Sequence, residues 1–268
     1  MDGLRAAGFH RIRSCCKQAF TLVELLVVIA VIAVLLAITK PVFNTIGGAN
    51  TFPKALTDVS SALEQARAYA ISNNTYVFFG IVEVDSSVDS NQTQTAGTGR
   101  VAICVAASKD GTANYNSIDP KGTWTSKDGA NLSALGKLTH NDNVHLVALA
   151  DPPANNGKMS QRQKVDPAYQ LSKPANDPSA DSVTPFAYPI GSAFNRGHYQ
   201  FNRVIMFDPQ GTARIVNANG DSVASVIEIG IEPAHGRSYA AVDANQLTGN
   251  FAAIQVDGIT GAVRIYRP

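Results

Sequence analysis

The sequence predicts an α+β protein: a long apolar amino-terminal helix, a shorter amphipathic stem helix, and a mostly antiparallel β head with long loops. Three observations carry that reading. Residues 25–38 are uninterruptedly apolar. Between positions 56 and 70, apolar residues recur at spacings of three and four, the period of one helix face. Beyond position 75, short β-branched and aromatic runs alternate with turn residues, the signature of strands.

The first element is defined by how charge is segregated. The 268-residue chain is nearly neutral at +1, and only 16% of it is charged. Near-neutrality argues against a general nucleic-acid coater, whose affinity rests on many cationic phosphate contacts. Residues 1–19 hold Arg5, Arg11, Arg13 and Lys17 against Asp2, a local +3, so the remaining chain carries −2. After Lys17, Glu24 is the only charge before Lys40. Residues 20–39 form a run about 30 Å long as a helix, enough to cross a bilayer. Cations ahead of such a run favour a cytoplasmic amino terminus and an exported remainder.

An ordinary cleaved signal needs small residues after its apolar stretch, whereas this one runs into Thr39, Lys40 and Pro41. A lipoprotein signal built on Cys15 fails because the apolar region follows the cysteine. A plain uncleaved anchor leaves Glu24 unexplained, since an ionisable residue in a span costs about 3 kcal/mol or more. A chance acid near the start of a helix is also favoured by the dipole.

The segment Ala19-Phe20-Thr21-Leu22-Val23-Glu24 resembles the cleavage and methylation signature of type IV prepilins and type II secretion pseudopilins. The resemblance implies a pilin-like fold and a cut by a prepilin peptidase between Ala19 and Phe20, with methylation of the new terminus. It implies that Glu24 pairs with the terminal amine of a neighbouring subunit, so that a buried carboxylate meets an opposite charge. Ala19 stands where the family normally carries glycine. The implied partners are the prepilin peptidase and methylase, other pilins along the helix, and an inner-membrane assembly platform. The implied location is the inner membrane, with the head outside, and then a pilus or pseudopilus.

The expected divisions are a leader at 1–19, a membrane and assembly helix at 20–39, a hinge and stem at 40–75 and a β-rich head at 76–268. Lys40-Pro41 is expected to disrupt the helix locally, because proline removes a backbone donor. Gly47-Gly48 is a second weak point, so Pro41, Gly47 and Gly48 are the candidate hinge. The stem stripe is Leu56, Val59, Leu63, Ala66 and Ala70, with Pro53 in the first turn and Asn73-Asn74 at the stop. Candidate strands cover 76–84, 101–106, 144–149, 199–207, 213–216, 226–231, 251–256 and 263–266. Ile227, Ile229 and Ile231 alternate onto one face. Long loops are expected at 85–99 and at 151–197, the latter with seven of the thirteen prolines.

Ala66-Arg67, Asn73-Asn74, Phe207-Asp208-Pro209-Gln210-Gly211 and the closing run from Gly261 to Tyr266 are similar to the GspH/FimT branch of minor pilins. The ending is also similar to the pilin-like group called Verru_Chthon cassette protein D.

No motif for catalysis stands out, so a structural subunit is expected, with no enzyme activity, cofactor or metal. His140 and His145, five apart in or beside a strand, are expected on opposite faces. Asp85, Asp89 and Asn91 offer oxygens to calcium, but their spacing misses the EF-hand pattern. Cys104 reads as a small core residue, and Cys15 and Cys16 leave with the leader. Arg264 and Arg267, with Arg203, Arg214 and Arg237 as additions, make a candidate DNA-contacting end. That end supports the alternative of a pilus-tip receptor for DNA or another ligand; an anchored exported enzyme is the remaining alternative.

Overall fold

The computed structural model describes residues 21–49, 51–113, 131–152, 157–172, 185–191, 198–215, 223–239 and 249–268, with backbone alone for 36–49. The chain divides into two compact units, Met1–Ile46 and Gly47–Pro268.

The first unit is built on helix α1, Leu22–Ala49, which extends past the unit boundary. The helix break expected at Lys40-Pro41 is absent, since α1 stays helical through Pro41, Gly47 and Gly48. Proline's fixed φ is itself helical, and its local cost is one N–H donor and crowding of its ring against the preceding turn. Helix α2, Thr51–Asn73, follows directly.

In the second unit α2 is the centre of the core. All five predicted stripe residues are buried, and Phe52 and Ala55 extend the stripe toward the amino end. Against it lie two sheets. The first runs β3 (Leu132–Ala134), β2 (Gly99–Ser108), β1 (Val77–Asp85), β8 (Arg203–Phe207) and β9 (Ala213–Arg214), with β4 (Thr139–Asp142) also on β2. The second runs β11 (Ser238–Tyr239), β10 (Val226–His235), β12 (Ala252–Asp257) and β13 (Val263–Tyr266), with β5 (Val144–Leu146) on β10. Val77, Phe79 and Ile81 of β1 and Ile227, Ile229 and Ile231 of β10 meet the helix stripe in one core, as a period of two requires. The mostly antiparallel head thus rests two sheets on α2.

The other face of the first sheet is covered as well. A hairpin of β6 (Phe186–Tyr188) and β7 (Tyr199–Phe201) packs Phe186, Tyr199 and Phe201 over Phe78, Cys104 and Met206. A Cβ on Gly80 would come within 2.8 Å of Phe201 and 2.7 Å of Phe186, so glycine is what admits the two rings. The expected strand 199–207 is therefore two strands in different layers.

Side chains of α2 tie it to both sheets. Lys54 Nζ donates to Asn141 of β4 at 2.8 Å, and Arg67 Nε donates to the Thr260 carbonyl at 2.7 Å. The turns at 208–211 and 257–261 meet where Arg67 lies. Asp208 Oδ1 accepts from the amides of Gln210 and Thr212, and Asp257 Oδ1 from those of Ile259 and Thr260. Ala213 N–H donates to the Gly258 carbonyl at 2.9 Å, joining the two turns. Gly211 and Gly261 hold φ of 83° and 65°, where glycine is free of the Cβ clash.

Candidate functional site: the amino-terminal helix and the head's polar clusters

Ala19 and Phe20 lie outside the described residues. The helix that follows opens with a cap: Thr21 Oγ1 accepts the Glu24 N–H at 3.3 Å, and the Thr21 hydroxyl donates to Glu24 Oε2 at 3.4 Å. Threonine followed three residues later by glutamate is the capping-box spacing. Glu24 therefore has a local partner inside its own chain, at the positive end of the helix dipole.

Every side chain described in α1, residues 22–35, is exposed. The large apolar ones, from Leu22 and Val23 through Val34 and Leu35, stand 46–79% open. At about 1 kcal/mol for each half-open aliphatic chain, covering this surface is worth on the order of 10 kcal/mol. An apolar patch of that kind marks a surface for another molecule or a lipid phase. Among the described residues no helix is long and apolar enough to cross a membrane.

The candidate arginines do not form one surface. Arg203 is buried and donates to the Leu171 carbonyl at 2.8 Å. Arg214 pairs with Asp208 at 3.4 Å, and Arg237 pairs with Asp85 at 3.5 Å. Arg267 packs on Phe52, and Arg264 is exposed on β13. The chain passes through β13 from Gly261 beside Arg67 to Arg267 beside Phe52, so Arg264 stands midway along α2 and Arg267 at its amino end.

The acidic loop after β1 is organised around an internal cation. Arg100 donates from Nη1 to the Val88 carbonyl at 2.5 Å and to Gln94 Oε1 at 3.1 Å, while its Nε meets Asp142 at 2.5 Å. The carboxylates of Asp85 and Asp89 accept from the amides of Ser87 and Asn91. The amide and hydroxyl of Ser87 hold Asp85 below the ordinary carboxylate range. The guanidinium thus takes the Val88 carbonyl and Gln94 side-chain oxygen, while Asp85 and Asp89 are occupied by amides of their own loop.

His140 and His145 fall in different strands, β4 and β5, which belong to different sheets. Asn143, at φ 60°, separates the strands. His145 is largely buried and lies between two glutamates. Its Nδ1 is 2.8 Å from Glu83 Oε1, its Nε2 is 3.9 Å from Glu232 Oε1, and the Tyr239 ring stacks on it at 3.7 Å. Glu83 also accepts from the amides of Gly99 and Leu146, at 2.9 and 3.2 Å. Glu232 Oε1 is buried without a hydrogen bond. Burial raises the Glu232 carboxyl from its ordinary 4.5 to about 7, with His145 opposing and Glu83 adding to the shift.

A second polar cluster sits on the outer face of the second sheet. Arg162 Nη1 reaches both oxygens of Glu228 at 2.6 Å, Arg162 Nη2 donates to the Ala150 carbonyl, and Gln255 Nε2 donates to Glu228 Oε2 at 2.9 Å. Burial pushes the Glu228 carboxyl up, against the pull of Arg162. Both clusters escaped sequence reasoning. The available signal was the spacing of Glu228 and Glu232 on the face of β10 opposite its isoleucines.

Among the described residues no group of three His, Cys, Asp or Glu is placed to hold a metal. A half-open groove beside α2, lined by Asp58, Gln65, Ile103, Leu135 and Lys137, holds about 220 Å³, below the roughly 300–1,000 Å³ of ligand pockets.

The prokaryotic N-terminal methylation motif matches residues 15–39. Two fimbrial proteins of Pseudomonas aeruginosa are 29% and 28% identical over 140 residues, 51% of this chain and 88% of each relative. No solved structure matches the chain. Methylation motif, fimbrial likeness and an α+β architecture define a type IV pilin-like subunit. The chain is type IV prepilin-like.

Proposed function

We propose that the chain is a minor pilin or pseudopilin of the GspH/FimT-like branch, a structural subunit of a type IV pilus or type II secretion pseudopilus. A prepilin peptidase cuts between Ala19 and Phe20, and the amine of Phe20 is methylated. Residues 20–39 then hold the protein in the inner membrane, with the head on the far side. On extraction the same helix packs against the helices of other pilins above the assembly platform.

The observation that carries this reading is the exposed apolar surface of α1 with Glu24 alone in its first turn. A bilayer and a bundle of like helices both cover such a surface, and the two serve the protein in succession. Glu24 is free to leave its capping contact for the amine of a neighbour, a stronger partner for a carboxylate out of water. Gly47-Gly48 serve as the hinge, supported by the unit boundary at Ile46 and Gly47 and by the change from α1 to α2. Pro41 contributes a missing hydrogen bond to the same bending.

The test is mass spectrometry of the mature amino terminus. N-methyl-Phe20 is the expected end group in peptidase-competent cells; a chain still beginning at Met1 there overturns the reading.

A further inference from the structure

We propose that Glu83, His145 and Glu232 form a proton-operated latch between the two sheets of the head, closed while Glu232 holds a proton and loosened when it loses it. The three groups come from three strands, β1 in the first sheet and β5 and β10 in the second.

The two carboxylates are unequal. Glu83 takes two backbone amides besides the imidazole, so its charge is well solvated by the protein. Glu232 is 1% exposed, and its Oε1 has no hydrogen bond. A buried carboxylate in that state favours its neutral form. The protonated latch places a single anion, Glu83, on His145. Deprotonation of Glu232 adds a second buried anion beside the same ring, and it repels Glu83.

Only His145 opposes that second charge, and at 3.9 Å its Nε2 makes no hydrogen bond to Glu232 Oε1. Tyr239 of β11 covers the ring and brings no cation. Arg100 of β2 is engaged with Asp142 of β4 and with loop carbonyls, and Arg237 with Asp85. What the latch holds is well defined. Pro233 pairs with Val144. Ala234 N–H donates to the Asn143 carbonyl at 2.8 Å, and Gly236 N–H to Asn143 Oδ1 at 2.9 Å. The Thr98 hydroxyl donates to the Arg237 carbonyl at 3.1 Å. Loosening therefore frees the tip of the β10–β11 hairpin from β5 and from the loop after β1.

The sign follows from linkage. The closed state binds the proton more tightly than the open one, so opening becomes easier as pH rises. With Glu232 at about 7 when closed and 4.5 when open, opening increases about tenfold between roughly pH 6 and roughly pH 8.5.

Hydrogen exchange on the full chain in detergent reads this directly at the amides of Ala234 and Gly236, after correction for intrinsic exchange. Protection is expected to fall about tenfold across that range in the native protein and to stay level in Glu232→Gln, which keeps the shape and removes the titration. Level protection in the native protein, or an equal fall in Glu232→Gln, overturns the latch. The carboxyl carbon resonance of Glu232 in the native chain gives a second reading that needs no variant. A midpoint near neutral supports the proposal, and one at the ordinary value for glutamate overturns it.

Discussion

The guanidinium of Arg267 lies over the ring of Phe52, 5.2 Å from its centroid. The penultimate residue of the chain is thereby fastened to the first turn of the stem helix. Phe52 is buried and Arg267 exposed, and a cation that keeps its water over an aromatic face contributes about 0.5–1 kcal/mol. Arg267→Ala is expected to lower the head's stability by about that amount in urea unfolding. Arg264→Glu, at an exposed position without that contact, is expected to leave stability unchanged. It is therefore the cleaner probe of DNA retention: loss of retention in Arg264→Glu supports the receptor alternative, and unchanged retention dismisses it.

Substitution separates the capping contact of Glu24 from its proposed pairing with a neighbour's amine. Glu24→Gln keeps an oxygen for the Thr21 hydroxyl but no charge for a neighbour's amine. Thr21→Ala removes the cap, worth about 1 kcal/mol of helix stability, and keeps the charge. Filament incorporation, measured by co-purification with sheared filaments, is expected to fail in Glu24→Gln and to survive in Thr21→Ala, with membrane insertion intact in both. The reverse pattern assigns Glu24 to helix capping alone.

Arg162→Met leaves the carboxylate of Glu228 buried without its cation. Removing one partner of such a pair costs about 3–5 kcal/mol. Because the Glu228 carboxyl is already pushed up by burial, the variant takes up a proton sooner than the native protein. Its deficit is expected to be largest at neutral pH and to shrink toward pH 4.5, as guanidinium unfolding at the two pH values will show.

For the native head, the raised carboxyls of Glu228 and Glu232 contribute stability that is present below about 4.5 and lost as pH rises. Asp85, Asp110 and Asp257, each lowered from 3.8, contribute stability that is lost as pH falls below that value. Together they draw the stability maximum to the acid side of neutral. A thermal-unfolding series across pH checks the position; a maximum above neutral contradicts it.

Cys104 is buried in the sheet, and desolvation raises its thiol to about 12. The thiolate is the reactive form, so a mild alkylating agent near pH 8 is expected to leave Cys104 unlabelled until the head unfolds. Under denaturing conditions the precursor has three thiols, and a chain cut before Phe20 retains Cys104 alone. Counting labels therefore reports processing without a peptide sequence.

Local order was legible in the sequence, and long-range order was not. The stem stripe from Leu56 to Ala70 was readable because its period is a property of neighbours, and β13 matches the expected span for the same reason. The run 199–207 looked continuous because both of its strands are apolar, although Tyr199–Phe201 and Arg203–Phe207 serve different layers. Glu83 and His145 are 62 positions apart, and nothing near either residue announces the other. On β10 the isoleucine face was visible, but the cover over Glu228 comes from the segment holding Arg162, inside a stretch that read as loop. Phe20 and Ala19 rest on their motif alone.

The antiparallel course of β13 along α2 has a practical side. The chain enters the head at Thr51 and finishes beside Phe52, so both ends of the head share one pole. An affinity tag at the carboxyl terminus would crowd the first turn of the stem helix. The opposite pole, at the turn carrying Ile259, is 71% open at that residue and has no chain end. Labels, epitopes or cross-linkers for following assembly belong there.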